Sequence, residues 1–139
     1  MQRIITIVRW AAVVSVFASA QSQAATWVRV GSSNSAVVYI DTDSLTGSPR
    51  GVIGWAKWVY VPAPNRKYAE AKVRKRYDCA ARTSKLLASV NYTASGSVAS
   101  SFTFAEYESS ADAVVPESLG ESILDGVCER VNGNSPPPG

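Results

Sequence analysis

The chain has 139 residues, two cysteines, no histidine and a formal net charge of +3. The missing histidine removes the usual general base of serine and cysteine triads and the commonest transition-metal ligand. The length suits one domain.

Residues 1–24 have the order of an export signal: Arg3 and Arg9 with no acid, an apolar run from Trp10 to Ala20, then small residues. Ser22-Gln23-Ala24 predicts a cut after Ala24, with Ala18-Ser19-Ala20 as the alternative. The apolar run is 11 residues long, short of the roughly 20 that span a bilayer, and no cysteine lies near the cut for lipid attachment. The expected product is exported, to the periplasm first, with the medium or cell surface as alternatives. Removing the signal lowers the net charge to +1, and the charges left are segregated. Arg50 to Lys85 holds ten basic residues against Glu70 and Asp78, whereas beyond residue 100 seven acids face Arg130 alone.

The remaining 115 residues form a single expected domain over 25–131. β signals dominate as far as about Tyr107. Trp27–Val30 and Ala36–Asp41 are short strands separated by a GSSNS hairpin loop. Asp41–Gly47 reads as a turn, because Asp and Ser side chains bond nearby backbone N–H groups. Val52–Val61, with Trp55, Trp58 and Tyr60, is the strongest strand. Tyr68–Cys79, Lys85–Tyr92 and Val98–Phe104 follow, the last two joined at Ser95-Gly96. A helix is predicted from near Pro116, with Ile123, Leu124, Val127, Cys128 and Val131 on one apolar face. Gly120 is expected on that face too, allowing close approach to the sheet. Glu117, Glu121, Asp125 and Glu129 form an acidic stripe beside it. Asn132 to Gly139 is proline-rich and expected to be disordered. The fold class is α+β: an antiparallel sheet of about six strands packed by one C-terminal helix, with one disulfide.

In an exported chain the only two thiols, Cys79 and Cys128, predict that disulfide. It also orients the sheet. Side chains alternate along Tyr68–Cys79, so Ala69, Ala71, Val73, Lys75, Tyr77 and Cys79 share the helix-covered face, with Lys75 the one misfit. Lys72, Arg74 and Arg76 then form a basic stripe on the opposite, open face.

Catalytic constellations are missing. Oxidised cysteines leave no thiolate nucleophile or zinc–thiolate site, and no G-x-S-x-G is present. Ser84-Lys85 is adjacent where a dyad needs spacing. Glu106 and Glu108 read as a strand-end acidic pair. Asp41 and Asp43 begin like a calcium loop, but Leu45 stands where a third oxygen ligand is needed. No enzyme activity, cofactor or metal is expected.

Trp27-Val28, Val38-Tyr39-Ile40-Asp41, the Trp55–Tyr60 strand, Tyr77-Asp78-Cys79, the Ser95-Gly96 hairpin and Val127-Cys128 occur in this order between Thr26 and Arg130. The series resembles the surface-adhesin protein E family of Gram-negative bacteria. The resemblance implies an antiparallel sheet backed by a helix, with the two matched cysteines bridged. The member that names the family faces outward and binds host matrix proteins and plasminogen, and this chain lacks the lipid-attachment cysteine of that surface-anchored adhesin. No motif transfers that family's ligand-binding residues to positions in this chain.

The expected function is therefore binding without catalysis. Lys72, Arg74 and Arg76, with aromatic contact from Trp55 or Trp58, would meet a protein or a polyanionic glycan or lipid. The alternative is a periplasmic assembly role in which the open face is a homodimer or complex interface. Nucleic acid is not an expected partner of an exported chain, and no membrane span is expected.

Overall fold

The computed structural model describes residues 24–133; the predicted export signal up to Gln23 and the tail from Asn134 lie outside the described residues. Seven strands form one antiparallel sheet: β1 (Trp27–Ser32), β2 (Ala36–Asp41), β3 (Val52–Tyr60), β4 (Glu70–Asp78), β5 (Thr83–Tyr92), β6 (Val98–Thr103) and β7 (Ala111–Ala113). The spatial order of the first six is their sequence order, and β7 pairs with the start of β5, beyond the stretch that β6 covers. Among the described residues one helix, α1 (Leu119–Val131), follows β7 and packs on β1, β2 and β3.

The connections follow the local chemistry of their residues. After β1, Ser33 Oγ accepts from the N–H groups of Ser35 and Ala36, which turns the chain into β2. Asp41, only 7% exposed, caps a 3₁₀ turn over Thr42–Ser44: its Oδ1 accepts from Asp43 N–H at 3.2 Å and Thr26 N–H at 3.0 Å. The Asp41–Asp43 pair is thus a turn, as expected. Between β5 and β6, Gly96 takes φ 84, a conformation that favours glycine.

Alternation places the core on one face. Register pairs Val38 with Trp58, Ile40 with Ala56, Ala56 with Val73 and Val52 with Tyr77. Val38, Ile40, Val52, Ala56 and Tyr77 pack with Ile123, Leu124 and Val127 of α1 into the buried cluster. Cys79 and Cys128 are bonded, with Cα atoms 5.8 Å apart, so the disulfide ties α1 to the end of β4 and the helix-facing parity of Tyr77 and Cys79 holds. Tyr77 is buried with its hydroxyl unpaired among the described residues, and burial pushes the phenol well above its ordinary range. An unpaired buried hydroxyl costs about 1–3 kcal/mol. Tyr77→Phe is therefore expected to keep or raise the denaturant midpoint, and a clear loss of stability would reveal a partner for the hydroxyl.

Three expectations are corrected. The helix starts at Leu119 rather than near Pro116, because Ser118 is its cap: Ser118 Oγ accepts from Glu121 N–H, and Glu117 sits at φ 60, outside helical conformation. The glycine of closest approach is Gly126, not Gly120. A Cβ on Gly126 would lie 2.6 Å from Val30 Cγ1, whereas Gly120 stands in the first turn beside Ser118 and Val114. β5 begins at Thr83, two residues before Lys85. Its early end is paired by β7, a three-residue strand with no alternation to announce it.

The acidic stripe of α1 is partly neutralised. Arg82, in the β4–β5 turn, donates to Glu121 at 2.7 Å and Asp125 at 3.0 Å. The Glu117 backbone N–H and then Arg82 hold the Glu121 carboxyl below its ordinary 4.5. A depressed folded value gives a contribution that is present above pH 4.5 and lost as pH falls through the folded value. Glu121→Gln should accordingly flatten the acid limb of a stability–pH profile and leave its neutral plateau shape unchanged.

Candidate binding face

The face of the sheet turned away from α1 gathers cations and aromatic rings from five strands. One cross-strand row runs Arg29, Tyr39, Lys57, Lys72, Val90. The next places Trp55 opposite Arg74, which faces Ala88 in turn, and a third runs Ile53, Arg76, Lys85. Lys57 lies directly opposite Lys72, and Arg76 directly opposite Lys85. Like charges facing each other across a sheet are destabilising, so both pairs need compensation.

The compensation differs between them. Lys57 Nζ sits 4.5 Å from the Trp27 ring centroid and 4.9 Å from that of Tyr39. Lys72 Nζ sits 4.9 Å from Tyr92 and 6.0 Å from Trp27, and 3.6 Å from the Glu70 carboxylate. The negative ring faces attract both ammonium groups, and Trp27 serves the two at once. Arg76 instead forms an ion pair with Glu106, whose carbonyl accepts from Lys85 Nζ. Arg74 is exposed and, among the described residues, its side chain has no ion pair, hydrogen bond or ring contact. A shallow recess of about 390 Å³ opens at the corner formed by Glu70, Lys72 and Tyr92.

Of the residues expected at the site, Lys72, Arg74, Arg76 and Trp55 stand together on this face. Trp58 does not. It is three residues from Trp55, an odd step that turns it to the opposite side, where it pairs with Val38 and Ala71 and packs against the core. Lys75 also takes the helix-side parity expected of it, in register with Gly54. The expectation missed Trp27, Arg29, Tyr39, Lys57, Lys85 and Tyr92. The alternation that separates Trp55 and Lys57 from Ala56 and Trp58 along β3 was the signal that could have found Lys57. Glu106 and Glu108 act separately: Glu106 pairs with Arg76, while Glu108 accepts from the Ala105 N–H.

Among the described residues no cluster of three His, Cys, Asp or Glu could hold a metal ion, and no helix is long and apolar enough to cross a membrane. The arrangement offers charge and ring surface.

Comparison with known proteins agrees with this architecture. A structure of Haemophilus influenzae protein E matches with a TM-score of 0.53 at 15% identity, covering 77% of this chain and 86% of that one. A crystal structure of protein E from non-typeable Haemophilus influenzae matches with a TM-score of 0.50 at 15% identity, covering 84% of each chain. At such identity the likeness is one of fold. No curated protein matches the sequence. A family model described as surface-adhesin protein E matches residues 27–129, from the first residue of β1 to the last turn of α1. The chain belongs to the surface-adhesin protein E family.

Proposed function

We propose that this protein is an exported, non-catalytic binding protein of the adhesin type, which engages an acidic partner through the open face of its sheet. The partner is a polyanionic glycan or an acidic patch on a matrix or envelope protein. The observation that carries this reading is the juxtaposition of two like-charge pairs, Lys57 with Lys72 and Arg76 with Lys85, on a single face. A face that only had to be wet would be better served by mixed charges. Arg74, exposed between the two pairs and opposite Trp55, offers a free guanidinium to carboxylate or sulfate groups.

Immobilised heparin is the direct probe. The protein should be retained at low salt and eluted as salt rises, because exposed charges are screened within about 10 Å at 0.1 M. The triple variant Lys72→Ala, Arg74→Ala, Arg76→Ala should elute at clearly lower salt. Full retention of that variant on both heparin and lipopolysaccharide would remove the open face as the binding site.

A further inference from the structure

The helix covers only part of its side of the sheet. α1 packs chiefly on β1, β2 and β3 and meets the end of β4 at Tyr77 and Cys79, while Lys75, Ser84 and Leu86 are flanked by β7, which pairs with the start of β5, and by the segment leading into the helix. Between these parts lies a cleft of about 620 Å³, within the roughly 300–1,000 Å³ usual for small-ligand sites. Its floor is Trp58, Lys75 and Leu86, and its rim includes Asp112 and Leu119.

The charges here are arranged unlike those of the open face. Lys75 is the only charged side chain that β4 turns inward, and its Nζ reaches Ser84 Oγ at 3.4 Å, a long contact for a cation. Asp112, on β7, lines the same cleft and its charge acts on Lys75, yet among the described residues the two make no direct ion pair. Burial pushes the Lys75 ammonium below its ordinary range, and Asp112 opposes that shift. A structural ion pair would close this gap. Two opposite charges held apart in one recess, beside the apolar wall of Trp58, Leu86 and Leu119, instead complement a molecule that carries both charges and an apolar group.

We infer that this cleft is a second binding site, separate from the open face, for a small zwitterion with an apolar side chain: an α-amino acid or short peptide. The ligand's carboxylate meets Lys75, its ammonium meets Asp112, and its side chain lies on Trp58. Opposite charges at fixed positions select orientation, and the indole supplies apolar contact.

Isothermal titration calorimetry of the intact protein tests this with L-phenylalanine and phenylalanyl-alanine as probes. At least one should bind with a dissociation constant of millimolar or tighter. Amidating its carboxylate or acetylating its amine should each weaken binding at least about tenfold, a difference of about 1.4 kcal/mol. Lys75→Met should abolish the discrimination against the amide, and Asp112→Asn the discrimination against the acetylated form. The capped ligands need no variant, so misfolding of either variant leaves the test intact. Absence of binding by both probes at millimolar concentration, or equal binding of free and capped forms, would overturn the proposal.

Discussion

Replacing Cys79 and Cys128 together with alanine should lower the unfolding free energy by about 2–4 kcal/mol. The two cysteines are 49 residues apart, and the chain-entropy account of closing a loop that long gives roughly 4 kcal/mol, the upper end of the expectation. The position of the bond adds to its weight. α1 carries Ile123, Leu124 and Val127 into the core but packs chiefly on β1, β2 and β3, and the disulfide is its covalent tie to the end of β4. A domain of this size has a total stability of about 5–15 kcal/mol, so the loss is a large share. Urea titrations of the oxidised protein and the double variant check it. A difference below about 0.5 kcal/mol would mean that packing alone holds the helix, since it lies far under the range expected for such a loop.

The second large effect is on binding. The double variant Lys57→Met, Lys72→Met should bind heparin at least about tenfold more weakly, yet its unfolding free energy should fall by less than about 3 kcal/mol. Exposed charge contacts are worth about 0.2–1 kcal/mol each, so two of about 0.7 kcal/mol give the 1.4 kcal/mol that corresponds to tenfold. The loss of stability is bounded because two terms oppose. Methionine relieves the repulsion between directly opposed ammonium groups, about 0.2–1 kcal/mol, and forfeits ring contacts of about 0.5–1 kcal/mol each at Trp27, Tyr39 and Tyr92. The outcome separates two roles for this lattice. Unchanged heparin binding with stability lowered by more than about 3 kcal/mol, beyond the sum of these ring contacts, would make the rings and cations a structural brace.

Much of the fold was legible because its signals are local. Trp27–Val30, Ala36–Asp41 and the Val52 strand are rich in β-branched and aromatic residues, and Ser, Asp and Gly mark the turns between them. The disulfide followed from two thiols in an exported chain, and strand parity then gave the basic stripe at Lys72, Arg74 and Arg76. The placement of Trp58 was also legible, by its odd separation from Trp55, but aromatic character was weighed ahead of parity. The cap at Ser118 was announced by Glu121 three residues on, while Pro116 drew the predicted start too early.

Other features depend on how distant segments meet. β7 is Ala111–Ala113, three residues whose strand state comes from pairing with Thr83–Lys85. The close approach at Gly126 depends on the β1 bulge that leaves Val30 as the extra residue against the helix. Trp27 on β1 reaches Lys57 on β3 across two strand boundaries and Lys72 on β4 across three, contacts that sequence spacing does not encode. The cleft around Lys75 exists because α1 lies to one side of the sheet, so Lys75 reads in sequence only as a misfit in an apolar row.

The central claim, that the open face is the binding face, is tested most directly by mapping a heparin hexasaccharide onto the protein by two-dimensional NMR. The account predicts shifts in the indole N–H signals of Trp27 and Trp55 and in the backbone amides of Arg29, Lys57, Lys72 and Arg74, with Ile123, Leu124 and Val127 unmoved. Shifts confined to α1 and the helix-side cleft, with the Trp27 and Trp55 signals unchanged under saturating ligand, would contradict it.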